Sequence, residues 1–244
     1  MSKHACLTID DAPSPDFLQK IDWLESRGIP AIFFCTGENL AARPEMAAEA
    51  LQRGFVVGIH SWDHPHFSRI PLKACFEQIR RADAVLTQIY KKAGIPDYPK
   101  YFRFPYGDKG ALTGDDPFTS PSGEGLARKQ SIQKYLRSLG YTQPAFDGIA
   151  YGYYRRAGLL DDADWYWTYD VREWCTFHPE AAHGIRTLDD VLARMDEVEP
   201  ENGLGLNTPG SDEIILTHDH TETSSIFPDI INRLLKKGLE FYIP

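Results

Sequence analysis

Two adjacent carboxylates, Asp10 and Asp11, close a strand-like run that begins at Ala5, and His60-Ser61-Trp62-Asp63-His64 closes another. Asp11, His60 and His64 offer a divalent metal one oxygen and two nitrogen ligands, with coordination positions left for water. Asp10 then stands beside that water as a base. A metal that generates the nucleophile, with a base next to it, is the minimum equipment for metal-assisted hydrolysis. One carboxylate and two imidazoles suit zinc, and also iron(II), cobalt, nickel or manganese. Neither half of the pattern is specific alone. Asp-Asp pairs are common in turns and helix caps, and histidines four apart often only share a helix face. Their place at the ends of two strand-like runs gives the combination its weight.

These side chains need elements to bring them together. Short apolar runs at 5–10, 31–36, 55–60, 101–105, 165–170, 213–218 and 240–243 have strand length and are rich in β-branched or aromatic residues. Amphipathic helical patterns lie between them. Ser14 precedes Pro15 as a cap, Phe17, Ile21 and Leu24 form one face, and Gly28 stops that helix. Leu72 to Ile89 marks a longer helix ending at Gly94, Thr187 precedes a third pattern, and Ser225 precedes a fourth that stops at Gly238. Strand-helix alternation from end to end predicts an α/β fold with a parallel sheet, in one domain over 1–244.

The expected architecture is a distorted (β/α) barrel of about seven parallel strands. In such a barrel the residues that follow the strands meet at the strand C-terminal ends, where active sites lie. Asp10-Asp11, His60, the 103–106 segment, Asp170 and His218 all fall at those positions. Two loop insertions interrupt the pattern. The 108–125 stretch is rich in Gly, Asp, Ser, Pro and Thr and is expected near the site. The 148–164 stretch carries Tyr151, Tyr153 and Tyr154 and suggests an unusual substrate. Glycines at 203, 205 and 210 read as a loop before a strand rather than a phosphate cradle.

With 244 residues, 42% of them apolar, the chain can bury a full core. No run approaches the roughly 18 apolar residues of a membrane helix. A formal charge of −9 argues against nucleic acid or an anionic membrane as partner. Cys6, Cys35, Cys75 and Cys175 lie far apart without a C-x-x-C pair, as expected of unpaired buried thiols in a reducing compartment. The first strand begins within a few residues of Met1, so the expectation is a cytoplasmic protein, exported only if a leader has been removed. The oligomeric state is not legible.

Five ordered segments resemble the motifs of the polysaccharide deacetylase family (carbohydrate esterase family 4, the NodB-homology domain). Thr8-Ile9-Asp10-Asp11-Ala12-Pro13 resembles T-F-D-D-G-P, and His60-Ser61-Trp62-Asp63-His64 resembles H-[ST]-x-x-H. Arg103-Phe104-Pro105-Tyr106-Gly107 is similar to R-x-P-Y-G. The segment from Trp167 to Trp174 is similar to W-[ST]-x-D-x-x-D-W, and Leu216-Thr217-His218 to L-x-H. The resemblance implies a hydrolase that removes N-acetyl, or O-acetyl, groups from a sugar or oligosaccharide with one divalent metal, zinc first. Asp11, His60 and His64 would hold the metal, and Asp10 would deprotonate the attacking water. Arg103 would orient Asp10 and keep it ionised. The metal and the Tyr106 backbone N–H would hold the oxyanion, and protonated His218 would serve the leaving amine. Trp174 and Leu216 would shape the acetyl pocket, with Asp170 as a further substrate-binding residue.

The family pattern is not matched everywhere. Ile9 and Ala12 stand for the usual Phe and Gly, and Glu173 for an Asp that supports the catalytic histidine and arginine. The extra methylene keeps the charge but moves it by roughly a bond length. His220 is a rival to His218, and His66 a lesser rival to His64. His4, His178 and His183 have no expected role. The alternative on the same fold is hydrolysis of a cyclic imide or an allantoin-like amide. An iron(II) oxygenase would need a β-rich fold, and a non-catalytic sugar-binding relative would not need the whole polar set.

Overall fold

The computed structural model describes residues 3–112, 119–178, 180, 184–197 and 205–244. His183, the 113–118 part of the first insertion and the start of the 203–210 stretch lie outside them. Strand β1 (Lys3–Ala12) is buried without a break from Ala5 to Asp10, as a strand covered on both faces must be. It pairs in parallel with β2 (Ile32–Cys35) and β5 (Glu213–His218). Beyond these lie β3 (Val56–Ile59) next to β2, and β4 (Tyr169–Asp170) next to β5. β6 (Leu239–Phe241) pairs with the Lys3–Ala5 end of β1.

Backbone hydrogen bonds close the path between β3 and β4 where regular strands do not. Phe102 bridges Ile59 in parallel. The Trp165 N–H donates to the Phe102 carbonyl at 2.8 Å and the Thr168 N–H to that of Ile214 at 2.9 Å. The result is the expected α/β barrel, strongly distorted. Of the expected strands, 101–105 contributes the Phe102 bridge and the backbone bonds around it rather than a regular strand. The 165–170 run shortens to the two residues of β4.

Period-two alternation sorts the strand side chains into two cores. Leu7, Ile9, Phe33 and Cys35 face the helices, packing with Phe17 and Ile21 of α1 (Phe17–Glu25), Ile79 and Leu86 of α4 (Leu72–Ala93), and Ile230 of α8 (Phe227–Lys236). Cys6, Ile32, Phe34 and Ile214 face the other way and cluster with Trp165 in the barrel interior. Tyr151, Tyr154 and Leu159 of the second insertion complete that inner cluster. The Tyr151 hydroxyl donates to Glu213 at 2.5 Å, at the end of β5 opposite His218. This insertion therefore fills the barrel from the strand N-terminal side, which corrects its expected link to the substrate.

Several helix ends also differ. Ser14 does not cap α1, which follows Asp16; its hydroxyl and N–H donate instead to the two oxygens of Asp219. α8 follows Ile226 rather than Ser225. Thr187 does cap α7 (Leu188–Arg194), with a reciprocal bond from Asp190, and Gly94 ends α4 in the left-handed conformation. Short α2 (Gly37–Ala42) and α3 (Pro44–Gln52) were not foreseen, nor were α5 (Gly123–Ser138), which starts inside the stretch read as a loop, and α6 (Gly152–Arg156). The four cysteines are buried thiols, and burial pushes Cys6 up to about 12 and Cys75 and Cys175 up to about 11. Among the described residues no helix is long and apolar enough to cross a membrane.

Candidate metal centre and active site

In a regular strand neighbouring side chains point to opposite faces, so Asp10 and Asp11 could not serve one site. The backbone resolves this with a bulge. Asp10 pairs with Phe34 and Ala12 with Cys35, leaving Asp11 as the extra residue, with φ 65°. The left-handed conformation thus falls on Asp11 rather than Ala12. Aspartate tolerates it better than most residues because its short polar side chain bonds locally. The Asn39 side-chain amide donates to the Asp11 carbonyl at 2.7 Å and ties the bulge down.

The two histidines lie on a turn rather than a helix, with Ser61 at φ 66° and His64 at φ 62°. The first N–H groups of α2 donate to the Ser61 and Trp62 carbonyls at 2.9 and 3.0 Å. Gln78 of α4 accepts from the N–H groups of Trp62 and Asp63 and donates to the Asp63 carboxylate at 2.8 Å. Gly37 is required here, because a Cβ on it would stand 2.4 Å from the Trp62 ring. His60 Nδ1 donates to the Arg103 carbonyl at 2.9 Å, which leaves Nε2 to face the site.

Asp11 Oδ1 lies 3.4 Å from His64 Nε2 and 3.8 Å from His60 Nε2, and one ligand atom of each residue falls within 4.8 Å of the others. Ligands about 2.1 Å from a tetrahedral zinc are separated by about 3.4 Å. Protonation states agree. Burial pushes His60 and His64 down to about 4 against the pull of Asp11, so both are neutral donors. Burial works against the Asp11 charge, but a hydrogen bond from His220 and the nearby imidazoles hold its carboxyl well below the usual range. The donor set fits a divalent metal.

Asp10 and His218 are register partners on β1 and β5, so they reach the site side by side. Arg103 is fully buried and donates from Nη1 to Asp10 Oδ1 at 2.8 Å and to the Thr8 hydroxyl at 2.7 Å. Asp10 Oδ2 points the other way, 3.6 Å from His60 Nε2. Burial raises the Asp10 carboxyl and Asp11 adds to that, while Arg103 and His218 oppose without bringing it back. Arg103 thus holds Asp10 Oδ1 by a hydrogen bond, while burial still leaves the carboxyl raised.

Glu173 Oε1 accepts from His218 Nδ1 at 3.1 Å, from the His218 N–H and from the Thr217 hydroxyl at 2.8 Å. The longer side chain thus reaches the histidine; Arg103 makes its bonds elsewhere. Burial disfavours a charged His218, but the charge and hydrogen bond of Glu173, with Asp11 and Asp170, raise it to about 10. Asp170, Glu173 and His218 also lie close enough to hold an ion. Of the two groups, that of Asp11, His60 and His64 is the one that offers two imidazoles beside a carboxylate.

Tyr106 sits at φ 58° in the turn after Arg103, its ring edge-on to His64 at 4.5 Å and stacked on His66 at 3.8 Å. His66 stays outside the metal group, 3.7 Å from Asp108. Trp174 is half-buried with its ring 6.5 Å from that of His218, and buried Leu216 follows Asp170 in register. Asp170 accepts the Arg172 N–H at 2.9 Å. Sequence reasoning missed three supports: Gln78, the hold of His220 on Asp11 at 2.9 Å, and buried Lys20, which donates to Asp219 at 2.6 Å. Lys20 left a signal as a charge in the middle of the apolar stripe of α1, and His220 as a second histidine two residues after His218.

A sequence model of the family described as polysaccharide deacetylase matches residues 1–143. A peptidoglycan-N-acetylglucosamine deacetylase of Bacillus cereus is 32% identical over 106 residues, 43% of this chain and 37% of that protein. The match therefore spans little more than a third of that relative's length. The solved structure of the peptidoglycan deacetylase PdaC from Bacillus subtilis is similar with a TM-score of 0.60 and 21% identity, over 98% of this chain and 87% of that one. BA3943 of Bacillus anthracis, described as a pseudoenzyme of carbohydrate esterase family 4, is similar with a TM-score of 0.61 and 17% identity, over 98% and 63%. The fold is shared by an enzyme and a pseudoenzyme, so the fold alone does not carry activity.

Proposed function

The chain belongs to the polysaccharide deacetylase family, and we propose that it is a metal-dependent hydrolase that removes N-acetyl groups from a carbohydrate. The observation that carries this reading is the register pairing of Asp10 with His218 beside the Asp11, His60 and His64 group. Asp11, His60 and His64 would hold the metal, zinc before cobalt, nickel, manganese or iron(II). When bound, the metal supplies Lewis acidity that polarises an acyl oxygen and makes a water more acidic.

The chain's own groups do the rest. Asp10, turned by Arg103 so that Oδ2 faces the metal ligands, takes the proton of the water attacking the acyl carbon. Its raised proton affinity favours taking that proton. The Tyr106 N–H would hold the developing oxyanion, a contribution of about 3–4 kcal/mol where a single such donor has been removed. His218 shares Nδ1 with Glu173 and so has Nε2 to protonate the leaving amine as the C–N bond breaks. Trp174 and Leu216 would shape the acetyl pocket, and Asp170 would border the substrate. The cyclic-imide alternative gains no support, since the relatives' names describe deacetylases.

The test is acetate release from acetylated chitin oligosaccharides, peptidoglycan fragments and N-acetyl sugars by zinc- and cobalt-loaded protein, with Asp10→Asn as the blank. Release above the blank is expected on at least one of them. No release above the blank on any of them, with either metal, would remove the proposal.

A further inference from the structure

Asp11 is a ligand whose two oxygens have different partners. Oδ1 faces His60 and His64, while Oδ2 accepts from His220 Nε2 at 2.9 Å. His220 is itself held on both sides. Its ring stacks on that of His218 at 5.2 Å with a 17° tilt and meets the Phe177 ring edge-on at 5.3 Å and 89°. Its carbonyl accepts from Lys20 at 3.3 Å, and the Asp219 N–H before it donates to the Asp10 carbonyl at 2.8 Å. Period-two alternation carries His218 and His220 to one side, and turns Asp219 to the other, where it holds Lys20 and Ser14.

We propose that His220 is a positioning residue for the metal ligand Asp11: its ring N–H fixes Oδ2 so that Oδ1 alone is presented to the metal. The inference rests on the metal site proposed above. The need for such a residue follows from the bulge. With Asp11 left-handed and out of the ladder, no neighbouring strand fixes its side chain, and a free carboxylate could rotate or chelate through both oxygens. Chelation would occupy a coordination position otherwise left for water. His220 is not a fourth ligand in this arrangement, since its Nε2 is committed to Oδ2 and the ligand group of Asp11, His60 and His64 does not include it. Partners of this kind, behind a ligand, typically carry a factor of about 10–100 in metal affinity.

The test is zinc affinity of the full chain, measured by competition with a chromophoric chelator and needing no substrate. His220→Phe removes the donor and keeps a flat ring between His218 and Phe177; His220→Gln keeps an N–H donor. The Phe variant should bind zinc about 10–100-fold more weakly, and the Gln variant should recover most of that loss with the cobalt absorption spectrum of the wild type. Should the Phe variant not fold, His220→Ala titrated with free imidazole takes its place, and recovery of affinity with imidazole is expected. Unchanged affinity in the Phe variant, or no recovery in the Ala variant, overturns the inference. So does equal loss in Phe and Gln variants with an altered cobalt spectrum, which would make His220 a direct ligand. Wild-type protein that binds zinc as stated but releases no acetate would remove the proposed activity and leave this inference standing.

Discussion

Replacing Glu173 with glutamine tests how the acid is set. The carboxylate is buried and its Oε1 takes three hydrogen bonds, two of them from His218. Glutamine keeps an oxygen at that place and removes the charge. An opposite charge this close is worth about 1–3 pKa units to its partner, or roughly 1.4–4 kcal/mol. His218 acts as an acid only while protonated, so activity is lost as pH rises through its pKa. The basic limb of the kcat/KM profile of zinc-loaded Glu173→Gln should therefore lie about 1–3 units below that of the wild type. Glu173→Asp, which restores the family's usual residue with a shorter reach, should fall between them.

Stability supplies a second readout with a defined window. His218 is raised from 6.5 to about 10 on folding, so its contribution is complete below 6.5 and lost as pH rises towards 10. Glu173 is lowered from 4.5, so its contribution is complete above 4.5 and lost as pH falls through the folded value. The difference in denaturation midpoint between wild type and Glu173→Gln should be greatest between pH 4.5 and 6.5 and shrink on both sides. A basic limb that stays in place while kcat falls would refute the reasoning. Glu173 would then hold the ring's position without setting its acidity.

Asp10→Asn should lower kcat/KM by about 10²–10⁴-fold, the usual worth of a general base, while zinc affinity measured by chelator competition stays close to the wild type. In the metal-free protein, His60 and His64 are lowered from 6.5 to about 4, so the unfolded chain binds their protons first. Urea midpoints of that form should fall steadily from pH 6.5 to 4, and added zinc should restore stability at the upper end of the range. Gly37→Ala forces a methyl to 2.4 Å from the Trp62 ring. Overpacking of this kind costs about 1–3 kcal/mol, and the displaced histidine turn should weaken zinc binding in the same titration.

The residues of the site were legible because their chemistry is carried by type and order: a carboxylate pair, a spaced histidine pair, and three further segments at strand ends. The barrel was legible because alternating runs of strand and helix length leave few other arrangements. Long-range placement was not. Nothing in Tyr151 or Tyr154 tells that they fill the barrel from the far end, because buried and substrate-facing aromatics have the same composition. The α3 sequence Glu45-Met46-Ala47-Ala48-Glu49-Ala50-Leu51 reads poorly as a helix face, since alanine contrasts little with polar neighbours. Gln78 carries no sign of its task, which arises only where α4 passes the histidine turn.

The deepest gap lies in the backbone. Among the described residues six non-glycine positions have positive φ: Asp11, Ser61, His64, Tyr106, Leu112 and Arg172. All but Leu112 lie in the segments that carry the chemistry, so the strain gathers at the site rather than scattering over the loops. Each such residue costs on the order of 1–3 kcal/mol and persists only where surrounding contacts over-determine it. The contacts that do so are the Asn39 amide at Asp11, the α2 N-terminus and Gln78 at the histidine turn, and the stacked His66 ring at Tyr106. A turn built on glycine would have been easier to form and easier to read. Here Asp11 and His64, two of the three residues of the candidate metal group, themselves occupy left-handed positions.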